Sequence, residues 1–447
     1  MKIAKGRLRF FCFVSLAFLL ACNSDSPTGN QSHEMDGAAI AHHCQKKLTD
    51  IIVVDVFSPP VASRIYAYCS LAFYEAARFE QKNSTSLMGQ LRGFATFSPP
   101  IKGNLYNFQI AAVTAFCETA KKITFSAKEI DAFEKKLIGK IGENTTAETL
   151  QNSKLLGMNI AEAIAQRIKT DHYKETRGME RFEVTTTDPA RWTPTAPDYA
   201  DALEPHWSKI LPMVLDATDQ CRALPFPEYN KDPDSAFYQE MKEVYDISKS
   251  LTKEQETIAI FWDDNPFVSK HIGHVMFQDK KMTPGGHWMA ICRTACKLKK
   301  VDLVATARAY ALTAIALHDA FIACWDEKYR SLRLRPQTAI QHLIDEQWIS
   351  FLQTPPFPEY TSGHSTISAA ATKVLTELFG PNFAYTDSTQ VEYGLPVRSF
   401  ESFEAAAAEA SISRLYGGIH FRSGCEHGNI QGKKVAATML KKIKIKR

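Results

Sequence analysis

A long helix-compatible segment in the second half of the chain constrains the fold more than any other feature. Residues Val301 to Tyr329 contain no glycine or proline and are rich in alanine and leucine, which have high helix propensity. Segments with the alternating pattern of a half-buried strand are nearly absent. We therefore predict an all-α protein. Four further helix-compatible segments are Val61 to Phe79, Ile110 to Lys122, Thr149 to Lys169 and Phe403 to Leu415.

A region bearing proline and aspartate, Thr185 to Pro227, separates two helical parts of the chain. Its composition is typical of a long connection between elements. We predict two packed helical bundles, an N-terminal half over residues 46–250 and a C-terminal half over 251–447. The chemistry-bearing motifs all follow the connection, so the N-terminal half is expected to supply scaffold, cavity wall or a dimer surface. A homodimer is one assembly that this leaves open.

The first 22 residues have the pattern of a bacterial lipoprotein signal. Four basic residues precede the apolar run Phe10 to Leu20, which Ala21-Cys22 closes. The run is too short to span a bilayer comfortably. We expect lipidation of Cys22 and a flexible tether over residues 23–45, which place the protein on a membrane of the bacterial cell envelope, in the periplasm or on the cell surface. An ordinary signal peptide with a chance cysteine is the alternative.

The charge of the chain argues against nucleic acid as a partner. The formal net charge is +4, and residues 1–22 contribute four positive and no acidic residues, so the mature chain sums to about zero (4 minus 4). The basic C-terminal tail is short, and a solvated helix end explains it. Its residues are Lys441, Lys442, Lys444, Lys446 and Arg447.

Three separated segments carry the cations and hydrogen-bond donors that a tetrahedral oxyanion requires. The first contains Lys328 and, seven residues later, Arg335-Pro336. The residue before a proline is disfavoured in the α region, so Arg335 is expected where the helix ends, free to direct its planar guanidinium at an anion. In isolation, two solvated basic residues at a helix end are the simpler explanation of this segment.

The second segment is Thr361-Ser362-Gly363-His364, which precedes an apolar stripe at helical spacing that closes with Gly380-Pro381. We predict that it caps a helix. Such an end presents unpaired N–H groups to an anion, Gly363 permits close approach, and Ser362 adds a hydroxyl donor. His364 would stand in the first turn as an acid or base. A plain cap with a surface histidine is the alternative.

The third segment is Ser413-Arg414, which the turn Tyr416-Gly417-Gly418 connects to His420. A neutral imidazole at His420 is suited to nucleophilic attack or to metal coordination. For one histidine alone, a core residue satisfied by a carbonyl is the simpler explanation.

In this order the three segments resemble the vanadium-dependent haloperoxidase and type-2 phosphatidic acid phosphatase superfamily. The pattern is Lys, six residues, Arg-Pro; then Ser-Gly-His; then Ser-Arg, five residues, His. It covers about the last 120 residues, and the segments 261–266 and 286–288 also look similar to haloperoxidase-like members. The resemblance implies that His420 is the axial vanadium ligand or the phosphate nucleophile and that His364 is the acid or base. It also implies that the oxyanion is bound by Lys328, Arg335, Ser362, Gly363 and Arg414.

The function implied by this resemblance is vanadate-dependent oxidation of halide by hydrogen peroxide. Phosphate has nearly the charge and shape of vanadate, so a cofactor-free acid phosphatase that hydrolyses phosphate esters through a phosphohistidine is the alternative. Trp325 and Phe357 resemble the aromatic residues that flank the halide pocket and favour the peroxidase, although core packing explains them as well.

One position departs from the superfamily pattern. Gly424 stands four residues after His420, where many members have an aspartate that orients the imidazole. We expect Glu426 or another acid to replace that carboxylate, within hydrogen-bond reach of the His420 ring or through one water. If no acid does so, a third reading is favoured, namely a surface lipoprotein that kept the fold and lost its activity.

Overall fold

A 29-residue helix, α10 (Leu303–Ser331), forms the centre of the structure, a computed structural model that describes residues 36–266, 268–272 and 275–444. The side chain of Asp302 accepts a hydrogen bond from the Ala305 N–H and caps its first turn. Leu332, with φ of +51°, ends it. Nearly the whole circumference of α10 is buried, which explains why its sequence is apolar on every face.

Helices make up most of the described residues, with two short antiparallel hairpins. The elements are α1 (Gly37–Val54), α2 (Pro59–Ala77), α3 (Phe108–Ile123), α4 (Ala127–Ile141), α5 (Ala147–Lys169), α6 (Tyr173–Thr176), α7 (Ala236–Lys249), α8 (Lys253–Phe261), β1 (Val268–Ile272), β2 (Val275–Asp279), α9 (Pro284–Lys299), α10 (Leu303–Ser331), α11 (Pro336–Leu343), α12 (Gly363–Phe379), β3 (Tyr385–Asp387), β4 (Arg398–Phe400), α13 (Phe403–Tyr416), α14 (Arg422–Lys442) and short 3₁₀ helices at Arg78–Glu80, Met88–Gln90, Trp207–Lys209 and Val391–Tyr393.

Helix α10 links two groups of helices. It packs against α1, α2 and α9, and also against α12 and α14. Helices α2, α3 and α5 pack together in the N-terminal part, while α12, α13 and α14 pack together in the C-terminal part. The all-α fold of packed helical bundles is thus confirmed. The division into halves at residue 250 stays a prediction.

A glycine stripe on α14 brings this helix close to the start of α12. Gly424, Gly428 and Gly432 are spaced four residues apart and so share one face. A Cβ atom at Gly428 would lie 3.0 Å from the carbonyl oxygen of Ser362, and one at Gly432 would overlap the Thr366 carbonyl. Only glycine, which has a hydrogen atom in place of a side chain, allows the two backbones to approach this closely at these positions.

The structure bears on only one of the predictions for the N-terminal residues, the extent of the tether. The signal and the Cys22 lipidation site lie outside the described residues. The tether predicted for residues 23–45 ends earlier than expected, because α1 begins at Gly37 with Asp36 as its cap. The apolar side of α1, which includes Ile40, Ala41 and Cys44, packs into the core and stabilises the helix. Among the described helices, none is long and apolar enough to cross a membrane.

Candidate active site

Lys328 and Arg335 enter the site from the end of α10 and the start of α11. Arg335 is the N-cap of α11 in an extended conformation, as the following proline predicts. Lys328 Nζ donates to the carbonyl oxygens of Pro358 (3.0 Å), Glu359 (3.0 Å) and Thr361 (2.5 Å). Both cations are fully buried. Burial lowers the pKa of Lys328 to about 8 and that of Arg335 to about 10.

The Ser-Gly-His segment caps α12 as predicted. Ser362 is the N-cap, and its hydroxyl oxygen accepts from the Ser365 N–H at 3.3 Å. The N–H groups of the first turn have no acceptor within the helix itself, so this end is suited to an anion. His364 is half-buried, and burial, together with the charge of Arg414, lowers its pKa well below its usual value.

Arg414 lies in the last turn of α13, where its guanidinium is held by backbone oxygens. Nη2 donates to the carbonyl oxygens of Trp262 (2.6 Å) and Ala259 (3.3 Å), and Nε donates to the Ser413 hydroxyl (2.9 Å). The side chain is buried, which lowers its pKa, while the charges of Asp263 and Asp264 oppose the shift. The arrangement fixes the cation in place without neutralising it.

His420 sits between a carboxylate and a guanidinium. Its Nδ1 lies 2.7 Å from Oε1 of Glu359, and its Nε2 lies 3.1 Å from Nη1 of Arg335. A carboxylate accepts only, so Nδ1 carries the hydrogen and the lone pair lies on Nε2. Burial, with Arg335, Lys328 and Arg414 nearby, lowers the pKa of His420 well below its usual value. The ring is therefore a neutral ligand or nucleophile that faces the cations.

An acid other than Glu426 takes the place of the missing aspartate beside His420. Glu426 is largely exposed, and its carboxylate lies 3.6 Å from Arg422 Nη1. Glu359 takes that role instead and is completely buried. A Cβ atom at Gly424 would overlap Oε1 of Glu359. The glycine thus leaves the space in which the Glu359 carboxylate reaches Nδ1 of the imidazole.

The two aromatic residues named from the sequence lie together beside the cations. The rings of Trp325 and Phe357 are 5.0 Å apart. Lys328 Nζ lies 4.9 Å from the centre of the Phe357 ring and 5.6 Å from that of Trp325. Phe357 lines the cavity directly, whereas Trp325 is buried behind it and donates its indole N–H to the Leu203 carbonyl at 3.2 Å.

Five of the sequence-predicted site residues, Phe357, Gly363, His364, Arg414 and His420, line one small cavity, and Arg335 adjoins it through its contact with His420. Arg335 Nη2 and His364 Nε2 are buried and have no hydrogen-bond partner among the described residues. Buried polar atoms without a partner are costly, and three buried cations require a counter-charge. A tetrahedral oxyanion meets both requirements, so the donor set fits such a group. The cavity is lined by Pro59, Leu203, Asp263, Asp264, Asn265, Pro266, Pro284, Pro355, Pro356, Phe357, Gly363, His364, Arg414, Ile419 and His420.

Sequence reasoning assigned no role to three residues around the site. The role of Glu359 could not be predicted from the sequence, because it depends on the fold and on the space left at Gly424. Asp263 and Asp264 line the cavity and belong to segment 261–266, whose similarity to haloperoxidase-like members was the available signal. The N-terminal half contributes Pro59 and Leu203 to the cavity wall, as expected.

Comparison with known proteins agrees with this site. Residues 308–446 match the family described as the VCPO second helical-bundle domain. A crystal structure of a bacterial vanadium-dependent iodoperoxidase matches with a TM-score of 0.86 and 43% identity, covering 91% of this chain and 97% of that one. The holo form of a bacterial vanadium-dependent chloroperoxidase matches at TM-score 0.65 and 17% identity, over 87% and 93% of the two chains, and shares the fold.

No curated protein sequence matches significantly. The identity to the iodoperoxidase extends over almost the full length of both chains, and the second helical-bundle domain includes the three predicted motifs. The chain therefore belongs to the vanadium-dependent haloperoxidase family.

Proposed function

We propose that this protein binds vanadate in the cavity and oxidises iodide with hydrogen peroxide. The observation that carries the proposal is the buried donor set around His420, in a chain 43% identical to a vanadium-dependent iodoperoxidase. Iodide is also the most easily oxidised of the common halides. In the overall reaction iodide loses two electrons to peroxide, one proton is consumed, and hypoiodous acid and water are formed.

Bound vanadate would supply a Lewis-acidic centre that activates peroxide toward the halide. The chain supplies the rest. Lys328, Arg335 and Arg414 neutralise the oxyanion charge, while Ser362 and the N–H of Gly363 donate to its oxygens. These five residues stay predictions as ligands.

The two site histidines have separate tasks in this proposal. His420 would hold the vanadium through the Nε2 lone pair, with Glu359 holding the hydrogen on Nδ1. His364, neutral and with its Nε2 free of partners among the described residues, accepts a proton from peroxide in the cavity. Phe357 covers the cations and keeps water away from the halide.

The experiment uses protein lacking residues 1–22, stripped of metal and then loaded with orthovanadate. Iodide oxidation should appear only after loading, exceed bromide and chloride oxidation, and be suppressed by phosphate, which competes for the same cations. His420→Ala should abolish iodide oxidation, whereas Glu426→Gln, at an exposed position, should leave it unchanged. A different result would show that the protein is a phosphatase: the metal-free protein hydrolyses a phosphate ester, vanadate inhibits this hydrolysis, and no halide is oxidised.

We further propose that Cys22 is lipidated and anchors the enzyme to the bacterial cell envelope. The apolar run and the cysteine that ends it support this. Full-length protein expressed in a bacterium should incorporate labelled palmitate and sediment with membranes, while Cys22→Ala should do neither. Labelling that persists in Cys22→Ala would refute this anchor.

A further inference from the structure

His287 is a completely buried histidine in the first turn of α9. It lies close to the site but is not one of the proposed oxyanion-binding residues, here called the oxyanion cage: Lys328, Arg335, Ser362, Gly363 and Arg414. Its Nδ1 lies 2.9 Å from Oδ2 of Asp264, and its Nε2 lies 2.9 Å from Oδ2 of Asp387. Two carboxylates on the two ring nitrogens are both satisfied only if both nitrogens carry hydrogen. The ring is therefore an imidazolium ion held between two buried carboxylates.

The electrostatics agree with this protonation state. Burial alone would lower the pKa of His287, but Asp264 and Asp387 outweigh it and raise the pKa to about 10. Gln390 adds a further constraint, because its side-chain amide donates to Oδ1 of Asp264 at 2.5 Å. Both oxygens of Asp264 are thus used, and the carboxylate has little freedom to rotate.

This network fixes the turn over residues 262–264, which follows α8. Asp264 has φ of +43°, a left-handed conformation that is unfavourable for a residue with a Cβ. Trp262 stacks on the His287 ring, with centroids 4.6 Å apart and planes at 24°. The Trp262 indole N–H also donates to Oε1 of Glu409 at 3.0 Å. The imidazolium thus holds the turn by a hydrogen bond to one residue and by stacking on another.

The same turn also supplies the closest hydrogen-bond acceptor of Arg414, one of the proposed oxyanion-binding cations. The Trp262 carbonyl accepts from Nη2 of Arg414 at 2.6 Å, and Asp263 and Asp264 line the cavity together with Arg414. A shift of the turn would therefore move the guanidinium or remove its acceptor. A misplacement of about 1 Å in such a group is enough to impair binding and catalysis.

We propose that His287 is a positioning residue for the oxyanion site, holding turn 262–264 between Asp264 and Asp387 so that the Trp262 carbonyl fixes Arg414. The inference rests on the proposed function in so far as Arg414 binds the oxyanion. It gives the Asp264–His287–Asp387 group a task beyond stabilising the fold, namely setting the affinity of a cavity that none of its ring atoms contacts.

The test measures orthovanadate and orthophosphate binding by calorimetry, without peroxide or halide. His287→Gln should weaken both about tenfold, the lower end for residues that orient a ligating group, and Asp387→Asn, which acts on the far side of the ring, should weaken them in the same direction. His42→Gln is the matched control: His42 is also buried and bonded, to the Tyr310 hydroxyl at 2.8 Å. It should lower Tm and leave both affinities within twofold.

The outcomes are distinct. If His287→Gln and Asp387→Asn lower Tm like the control but keep full anion affinity, the group is only structural and the inference is wrong. If His287→Gln does not fold, Asp387→Asn decides between the two results. Arg414→Ala is measured in parallel: if it binds vanadate as tightly as wild type, the cage itself is wrong, whereas weakened binding there with full affinity in Asp387→Asn overturns only the role of His287.

Discussion

Oε1 of Glu359 lies 2.7 Å from Nδ1 of His420, while Oε2 of the same carboxylate lies 3.1 Å from Nη1 of Arg333. All three side chains are buried. Arg333 also contacts Oε2 of Glu240 at 2.9 Å, closer to the surface. The orientation of the His420 ring is therefore tied to a buried ion pair, so we expect the geometry of the site and the folding stability to depend on the same carboxylate.

Glu359→Gln should weaken vanadate binding at His420 about tenfold or more, because a neutral amide is a poorer acceptor for the Nδ1 hydrogen. It should also lower Tm, since Arg333 then loses part of its buried counter-charge. Vanadate titration and thermal unfolding check the two effects. Glu426→Gln is the control, and equal affinity in the two variants would remove Glu359 from this role.

Gly424→Asp alone should weaken vanadate binding more than Glu359→Gln does, because the new side chain and the glutamate would occupy the same space. The double variant Glu359→Ala/Gly424→Asp should recover vanadate affinity relative to Gly424→Asp, since one carboxylate again serves the ring. The coupling is read from a double-mutant cycle. Additive effects would mean that the two positions do not share this space.

Arg335→Ala should cost about 3 kcal/mol of vanadate binding, roughly a hundredfold in Kd, because part of a buried anion is left uncompensated. Arg335→Lys should recover part of this loss, since the charge returns without the planar donors. Arg330, half exposed and paired with Asp326 and Glu327, gives the control Arg330→Ala. A loss in Arg335→Ala no larger than in this control would exclude Arg335 from the cage.

Phe357→Leu should change halide preference more than vanadate affinity, because the ring lines the cavity and lies over Lys328 and Arg335. Trp325→Phe should have a smaller effect, since that ring packs behind Phe357. The ratio of kcat/KM for iodide and bromide is the measurement. An unchanged ratio in Phe357→Leu, with vanadate binding intact, would show that Phe357 does not contact the halide.

The stability contributed by His287 should depend on pH. Its folded pKa is about 10, above the usual unfolded value of about 6.5, so the contribution is complete below pH 6.5 and is lost as pH rises toward 10. The difference in free energy of unfolding between wild type and His287→Gln should therefore shrink between pH 7 and pH 10. For His42→Gln it should stay constant over this range, because burial lowers the pKa of His42 to about 4. A constant difference for both variants would mean that His287 is neutral.

The helices and the local conformations of several site residues could be predicted from sequence because each depends on local chemistry. Pro336 sets the conformation of Arg335, and Ser362 caps α12, whatever the rest of the chain does. Glu359 could not be found in this way. It lies 61 residues from His420, and no local pattern indicates that the two meet. The start of α1 was missed for a similar reason, since its helix is stabilised by packing rather than by its own propensity.

The glycine at position 424 has a consequence for how relatives of this protein are identified. A search pattern that requires an acidic residue four positions after His420 would reject this chain. Glu359, from a different segment, nevertheless supplies the carboxylate. In families where the acceptor for an imidazole N–H can come from either of two segments of the chain, we expect relatives to differ at two distant positions at once. Comparing the atoms around the imidazole in superposed structures identifies such a pair of positions. An alignment examined one column at a time would count each position as the loss of a carboxylate.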